Sequence, residues 1–170
     1  MPRYASAGLA VEPVQPDDIP ALMEMLGELA EFLRGSPNFV TTADELDRAL
    51  FSESPAMEAI VSRVDGQPAG FVNWFEEYKI FSGRRAMRVD YLYVRPEFRT
   101  RPVAMLMLMY ALQVAKYRGY RYVEGVVLDW NTPARRMYQS LKARELDTRI
   151  FSLDLASLNL AKYGRASQSI

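Results

Sequence analysis

Three arginines, Arg95, Arg99 and Arg101, fall in one short stretch, Arg95-Pro-Glu-Phe-Arg-Thr-Arg-Pro102. It follows the strand-like Asp90-Tyr-Leu-Tyr-Val94 and precedes a long apolar segment of helical character. A strand that runs into the first turn of a helix makes an anion site, because that turn leaves amide N–H groups unpaired. Guanidinium groups beside it add charge-assisted hydrogen bonds. The chemistry this suits is the holding of a phosphate-bearing cofactor. The chain has no cysteine and no histidine, which removes thiol nucleophiles, Ser-His-Asp triads, disulfides and the usual zinc sites; no metal is expected. Acid–base work is left to Asp, Glu, Tyr, Lys or ordered water. The aromatic group Trp74, Phe75, Tyr78 and Phe81 stands at the end of a strand, where it could line a substrate pocket. Glu76 and Glu77 among these aromatics suit a cationic amine.

The elements that must position these groups are legible from periodicity and punctuation. Residues 9–14 form a short strand candidate, and 1–8 read as a flexible leader. Gln15-Pro-Asp-Asp-Ile-Pro20 has helix-start chemistry, with Asp17 or Asp18 as the cap. Leu22, Met25, Leu26, Leu29, Phe32 and Leu33 then recur at helical spacing up to Gly35. Thr42 and Glu45 have capping-box spacing for a second helix with Leu46, Ala49 and Leu50 on its apolar face. Residues 57–64 and 69–75 are strands joined at Asp65-Gly-Gln-Pro68, and Ser82-Gly-Arg-Arg85 turns into the strand that carries Asp90. A helix over about 103–118 ends at Gly119. A strand at 122–128, a helix after Pro133 and a last strand near 148–153 complete the order β-αα-βββ-α-β-α-β. This is an α/β fold, a mixed sheet with helices on its faces, within one domain spanning 1–170; 157–170 read as a peripheral tail.

Two segments carry a resemblance. Val94-Arg-Pro-Glu-Phe-Arg99 before the long helix and Trp130-Asn-Thr-Pro-Ala-Arg-Arg-Met-Tyr138 after the next strand resemble the GNAT acyl-CoA N-acyltransferases. Within that superfamily the chain is most similar to the diamine (spermidine/spermine-type) acetyltransferase branch, over about residues 9–156. The resemblance implies the GNAT fold and an N-acetyltransferase moving an acetyl group from acetyl-CoA to a primary amine by direct attack, a diamine or polyamine among the acceptors. Acetyl-CoA would lie over Leu92, Tyr93, Val94, Arg99, Thr100, Arg101, Val103, Ala104 and Met105. Asn131 would touch the pantetheine arm or simply cap the following helix. Tyr138 matches the tyrosine that protonates the departing thiol, and a phenol with a pKa near 10 is protonated for that task at neutral pH. Asp90 stands where the branch has a Glu facing the amine, and a carboxylate can hold and deprotonate an ammonium directly or through water. Alternation along the strand would put Asp90 and Leu92 on one face. Trp74, Glu76 and Glu77 would meet the substrate.

The sequence departs from the family at the phosphate loop, which is degenerate. Thr100 and Pro102 stand where glycines are expected, and proline offers no N–H. Losing one charge-assisted hydrogen bond, worth roughly 1.5–3 kcal/mol, weakens binding about tenfold or more, unless Arg99 and Arg101 offset it. The alternative reading is therefore a catalytically weakened GNAT-fold protein acting as a binding or assembly module. Lys142 replaces a helix-ending glycine. Charges balance, 21 basic against 21 acidic, so no field draws the protein to nucleic acid or an anionic membrane. No apolar run approaches the ~20 residues of a membrane span, so a cytoplasmic protein is the default. Met105, Met107 and Met109 with Leu106, Leu108 and Leu112 make the long helix apolar nearly all round, which implies a homodimer.

Overall fold

A computed structural model describes residues 4–6, 8–33 and 39–159. In chain order the elements are β1 (Tyr4–Ser6), β2 (Leu9–Pro13), α1 (Ile19–Phe32), α2 (Ala43–Phe51), β3 (Glu58–Val64), β4 (Gln67–Lys79), β5 (Arg84–Val94), α3 (Val103–Tyr117), β6 (Tyr122–Gly125) and α4 (Thr132–Ser140). The six strands form one mixed sheet in sequence order, every neighbouring pair antiparallel except β5 with β6. The chain falls into two compact units, Met1–Thr132 and Pro133–Ile170, each described by itself. No helix among the described residues is long and apolar enough to cross a membrane.

Local chemistry explains why the elements start and stop where they do. Thr42 and Glu45 close their capping box, Thr42 N–H to Glu45 Oε2 at 2.8 Å and Glu45 N–H to Thr42 Oγ1 at 3.3 Å. Each bond satisfies a first-turn donor that the helix itself cannot. Asp65 and Gly66 both have positive φ, 49° and 83°, the geometry of a two-residue turn whose twist matches the β3–β4 ladder. Gly119 follows α3 at φ 71° and ends it by adopting the left-handed conformation. Pro20 sits in the first turn of α1. Asp18 precedes that helix without capping it. Its carboxylate instead accepts Gln15 N–H at 2.9 Å and pairs with Arg63 of β3.

The two sheet faces are covered from opposite sides. Leu22, Met25 and Leu29 of α1 and Leu46 and Leu50 of α2 pack with Val61, Phe71 and Tyr93. Val103, Met107, Tyr110, Ala111 and Val114 of α3 pack with Ile60, Val72, Trp74, Met87, Val89 and Val94 on the other face. Full burial of each such side chain contributes roughly 1.5–3 kcal/mol, so position along β5 is held from both sides.

The sequence expectations need three corrections. The leader expected at 1–8 is too long, since Tyr4–Ser6 pairs antiparallel with β2. The last strand expected near 148–153 does not form, because those residues have no regular structure and no ladder partner to satisfy their backbone. Ile150, Phe151 and Leu153 there are 71%, 88% and 74% exposed. The strand expected at 122–128 stops at Gly125, where its pairing with β5 ends. Gly35 and residues 160–170 of the expected tail lie outside the described residues.

Candidate active site

The parallel ladder between β5 and β6 is short. It joins Ala86–Val89 to Tyr122–Gly125 and goes no further. Beyond it, residues 92–94 of β5 pair with β4, residues 90 and 91 have no register partner there, and among the described residues the other edge of 90–94 has no strand beside it. Gly125 is the last paired residue of β6, and a glycine inside a strand weakens it. The open segment leads through a one-turn 3-10 helix, Pro96–Phe98, into α3.

At the helix start, Pro102 is the cap residue rather than the first helical one, and it makes no side-chain cap bond. The first helical bond beyond the cap runs from Leu106 N–H to the Pro102 carbonyl at 3.0 Å. The amides of Val103, Ala104 and Met105 therefore have no acceptor within the helix. Proline's missing N–H is not one of these three. The residues thus fit a phosphate group: three first-turn donors at the positive end of a 15-residue helix dipole.

The arginines divide their work differently from the expectation. Arg95 turns back to α1, its Nε 3.0 Å from Glu28 Oε1 and one terminal nitrogen 3.0 Å from Glu24 Oε2, and it also donates to the Pro68 carbonyl. Tyr93 O–H donates to the same Glu28 at 3.1 Å. Burial, with help from that carboxylate, pushes the Tyr93 phenol up to about 12. Arg99 donates from Nε to the Val94 carbonyl at 2.9 Å and lies over the rings of Phe32 and Tyr93, 5.0 and 5.7 Å from their centres. It braces the end of β5 instead of reaching out. Arg101 is about half exposed, with Asp65 at 3.8 Å, and Thr100 is exposed beside it.

Asp90 is exposed and sits on a β-bulge. The register passes from Val72↔Leu92 to Trp74↔Val89, so Asp90 and Tyr91 together face the single residue Asn73. This changes which side chains share a face. Met87 and Val89 contact the α3 core before the bulge, Leu92 and Val94 after it, so the alternation slips by one residue there. Asp90 and Leu92 do not share a face, as unbroken alternation would have required. Asn73, which carried no role in the sequence reading, accepts Tyr91 N–H on Oδ1 at 3.1 Å. Its Nδ2 lies 3.5 Å from Asp90 Oδ2. The available signal was its type: an amide inside the apolar run Phe71-Val-Asn-Trp-Phe75 needs partners to be buried.

The residues expected to meet the substrate are otherwise occupied. Trp74 is 2% exposed, inside the core beneath α3. Glu76 pairs with Arg85 and accepts from Tyr120 O–H at 2.6 Å, which holds its carboxyl down at about 2. Glu77 receives two hydrogen bonds from Arg88, at 2.8 and 3.1 Å, and one from Lys79 at 2.7 Å. Lys79 and Arg88 both also reach Glu124 of β6. Glu77 thus belongs to an ion lattice tying β4, β5 and β6 together, and Glu76 to a separate pair with Arg85 of β5, not to an open aromatic pocket.

Asn131 is half-buried in the turn before α4, its N–H donating to the Leu128 carbonyl at 2.8 Å. Trp130 beside it meets Phe32 edge-on, ring centres 5.3 Å apart. In the second unit, Tyr138 lies on α4, and burial raises its phenol above the ordinary tyrosine value. Lys142 N–H donates to the Gln139 carbonyl and Ala143 N–H to the Tyr138 carbonyl, with Lys142 at φ 58°. This is the glycine-type helix ending, made here by lysine at a steric cost.

A family model described as the acetyltransferase (GNAT) family matches residues 22–142. The chain is 30% identical to a thialysine N-epsilon-acetyltransferase of Caenorhabditis elegans, covering 75% of this chain and 78% of that one. It is 21% identical to an L-ornithine N5-acetyltransferase of Arabidopsis thaliana, covering 76% of each. Among solved structures, an aminoglycoside acetyltransferase from a soil metagenomic sample superposes with a TM-score of 0.74 at 14% identity, over 87% of this chain and 97% of that one. That likeness is one of fold.

Proposed function

Because the chain belongs to the GNAT acetyltransferase family, and is thus an enzyme that acetylates amines, we propose that it moves an acetyl group from acetyl-CoA to the primary amine of a small diamine or diamino acid by direct attack. One observation carries this reading. Among the described residues, the edge of β5 at 90–94 that has no strand beside it leads through the one-turn 3-10 helix Pro96–Phe98 to the uncapped first turn of α3.

Acetyl-CoA, when bound, supplies the acetyl group as an activated thioester. The Val103, Ala104 and Met105 amides hold its phosphate oxygens, with Thr100 and Arg101 at the loop surface. Leu92, Tyr93 and Val94 offer backbone groups to the amides of the pantetheine arm, as an added strand would. Arg99 keeps that edge straight, and Asn131 borders the same arm. Asp90 takes a proton from the acceptor's ammonium, directly or through water, and leaves the amine nucleophilic. Tyr138 gives a proton at the thioester sulfur.

The ion lattice bears on the acceptor. Glu77 and Glu124 are matched by Lys79 and Arg88, so a second ammonium finds its candidate partners already neutralised. A diamino acid, which brings its own carboxylate, suits such a face better than a polyamine. The named relatives act on thialysine and L-ornithine, both of that kind. Homodimerisation through α3 belongs to the same proposal, supported by the half-buried Met105, Met109 and Leu112 and checked by sedimentation.

Thermal melting with and without millimolar acetyl-CoA tests the first step. Binding at a hundred times the dissociation constant adds about 2.7 kcal/mol to stability, and an unchanged melting temperature sinks the proposal. Tyr138→Phe is expected to lower kcat at least tenfold while leaving that shift intact.

A further inference from the structure

Asn73 stands in the middle of β4, 6% exposed, opposite the two residues of the β5 bulge. A bulge leaves one residue of its strand unpaired, and a buried N–H without an acceptor is costly. Here the acceptor is a side chain: Asn73 Oδ1 takes Tyr91 N–H at 3.1 Å. That bond also fixes which way the amide faces. With its oxygen committed to a donor, its NH2 must point the other way, where it lies 3.5 Å from Asp90 Oδ2 and 3.3 Å from Met57 Sδ. The Asp90 carboxylate thereby has an amide donor facing one of its oxygens, at the long limit of a hydrogen bond.

We propose that Asn73 is a positioning residue for acetyl transfer, closing the β5 bulge with its carbonyl oxygen and orienting the Asp90 carboxylate with its NH2. The inference rests on the reading of Asp90 as the group that takes the acceptor's proton. It adds that the aim of Asp90 is set from a neighbouring strand by a residue that touches no substrate. A purely structural Asn73 would serve the bulge alone, and its loss would act on turnover whether or not Asp90 were present.

A double-mutant cycle on the full chain separates the two roles, with thialysine and L-ornithine as acceptor probes and acetyl-CoA varied. Asn73→Ala is expected to lower kcat about tenfold with the KM for acetyl-CoA unchanged. In an Asp90→Ala background the same change should lower kcat less than twofold. An equal loss in both backgrounds, or a loss expressed in the KM for acetyl-CoA, overturns the inference. Full turnover by Asp90→Ala, or no turnover of either probe by the native chain, overturns the Asp90 reading and the inference with it. If Asp90→Ala is impaired and Asn73→Ala is not, the inference alone fails.

Hydrogen exchange at the Tyr91 amide is an independent readout. Its protection should fall in Asn73→Ala and persist in Asn73→Asp, which keeps the acceptor oxygen, and equal protection in all three chains overturns the proposal. Should Asn73→Ala fail to fold, Asn73→Asp carries the kinetic test, and native kcat in that variant is the refuting result.

Discussion

Tyr138 must be protonated to act as proposed, and its surroundings favour that state. Burial penalises the phenolate and raises the phenol above its ordinary value. The acid form therefore persists through neutral pH and is lost only above the ordinary phenol range. The pH profile of kcat should show no alkaline fall below that range that disappears in Tyr138→Phe; such a fall centred near 8 or 9 would assign the acid role elsewhere. The same scale decides what Pro102 costs. A proline one place further on would occupy the first helical position, yet it would still spare the donors of the next two residues. At the cap position it spares Val103, Ala104 and Met105 together. The glycine missing from the loop is a smaller loss than its type suggests.

Among the elements, two ion groups lie at the end of the sheet where β6 joins: Glu76 with Arg85 and Tyr120, and Glu77 with Lys79, Arg88 and Glu124, the second knitting β4, β5 and β6 together. The Arg85 guanidinium first, then the Tyr120 hydroxyl, hold Glu76 at about 2 against an ordinary value near 4.5. Glu77 is lowered in the same direction, chiefly by Arg88. A carboxylate depressed on folding stabilises the native state above its unfolded value and loses that contribution as pH falls through its folded one. Melting temperature should accordingly decline from about pH 4.5 towards 2, and Glu76→Gln should flatten part of that decline. Both side chains of the Glu76–Arg85 pair are about half exposed, so its effect should shrink in high salt. These ion groups were not legible in the sequence. Glu76 and Glu77 could be read as acidic, but their arginine partners, Arg85 and Arg88, lie on β5, as those of Arg95 lie on α1, 67 and 71 positions away. What could be read was local: the Thr42–Glu45 box, the Asp65-Gly66 turn, the stop at Gly119. The bulge escaped because register is a property of two strands and alternation describes only one.

For the molecule as a whole, both core clusters draw, among the described residues, on side chains before Thr132. A chain ending at Thr132 is expected to melt cooperatively and to keep its acetyl-CoA shift. It should turn nothing over, since Tyr138 is outside it. Loss of a cooperative transition would show that residues 133–170 complete the fold. The order of elements was legible from Leu9 to α4 because each has its own period and its own stop. The closing strand was not, because the stretch at 148–153, with Ile150, Phe151 and Leu153, becomes a strand only where a neighbour accepts its hydrogen bonds. The open edge of β5 has a further consequence, for solubility. A strand edge with no neighbour among the described residues invites strands from other chains, and folded proteins blunt such edges with charges and bulges. Here one residue does both, since Asp90 is the charged member of the bulge itself. The carboxylate proposed to prepare the amine would therefore also keep neighbouring molecules off the open edge of β5. Replacing it with a β-branched apolar residue should slow the reaction and promote aggregation in the same variant.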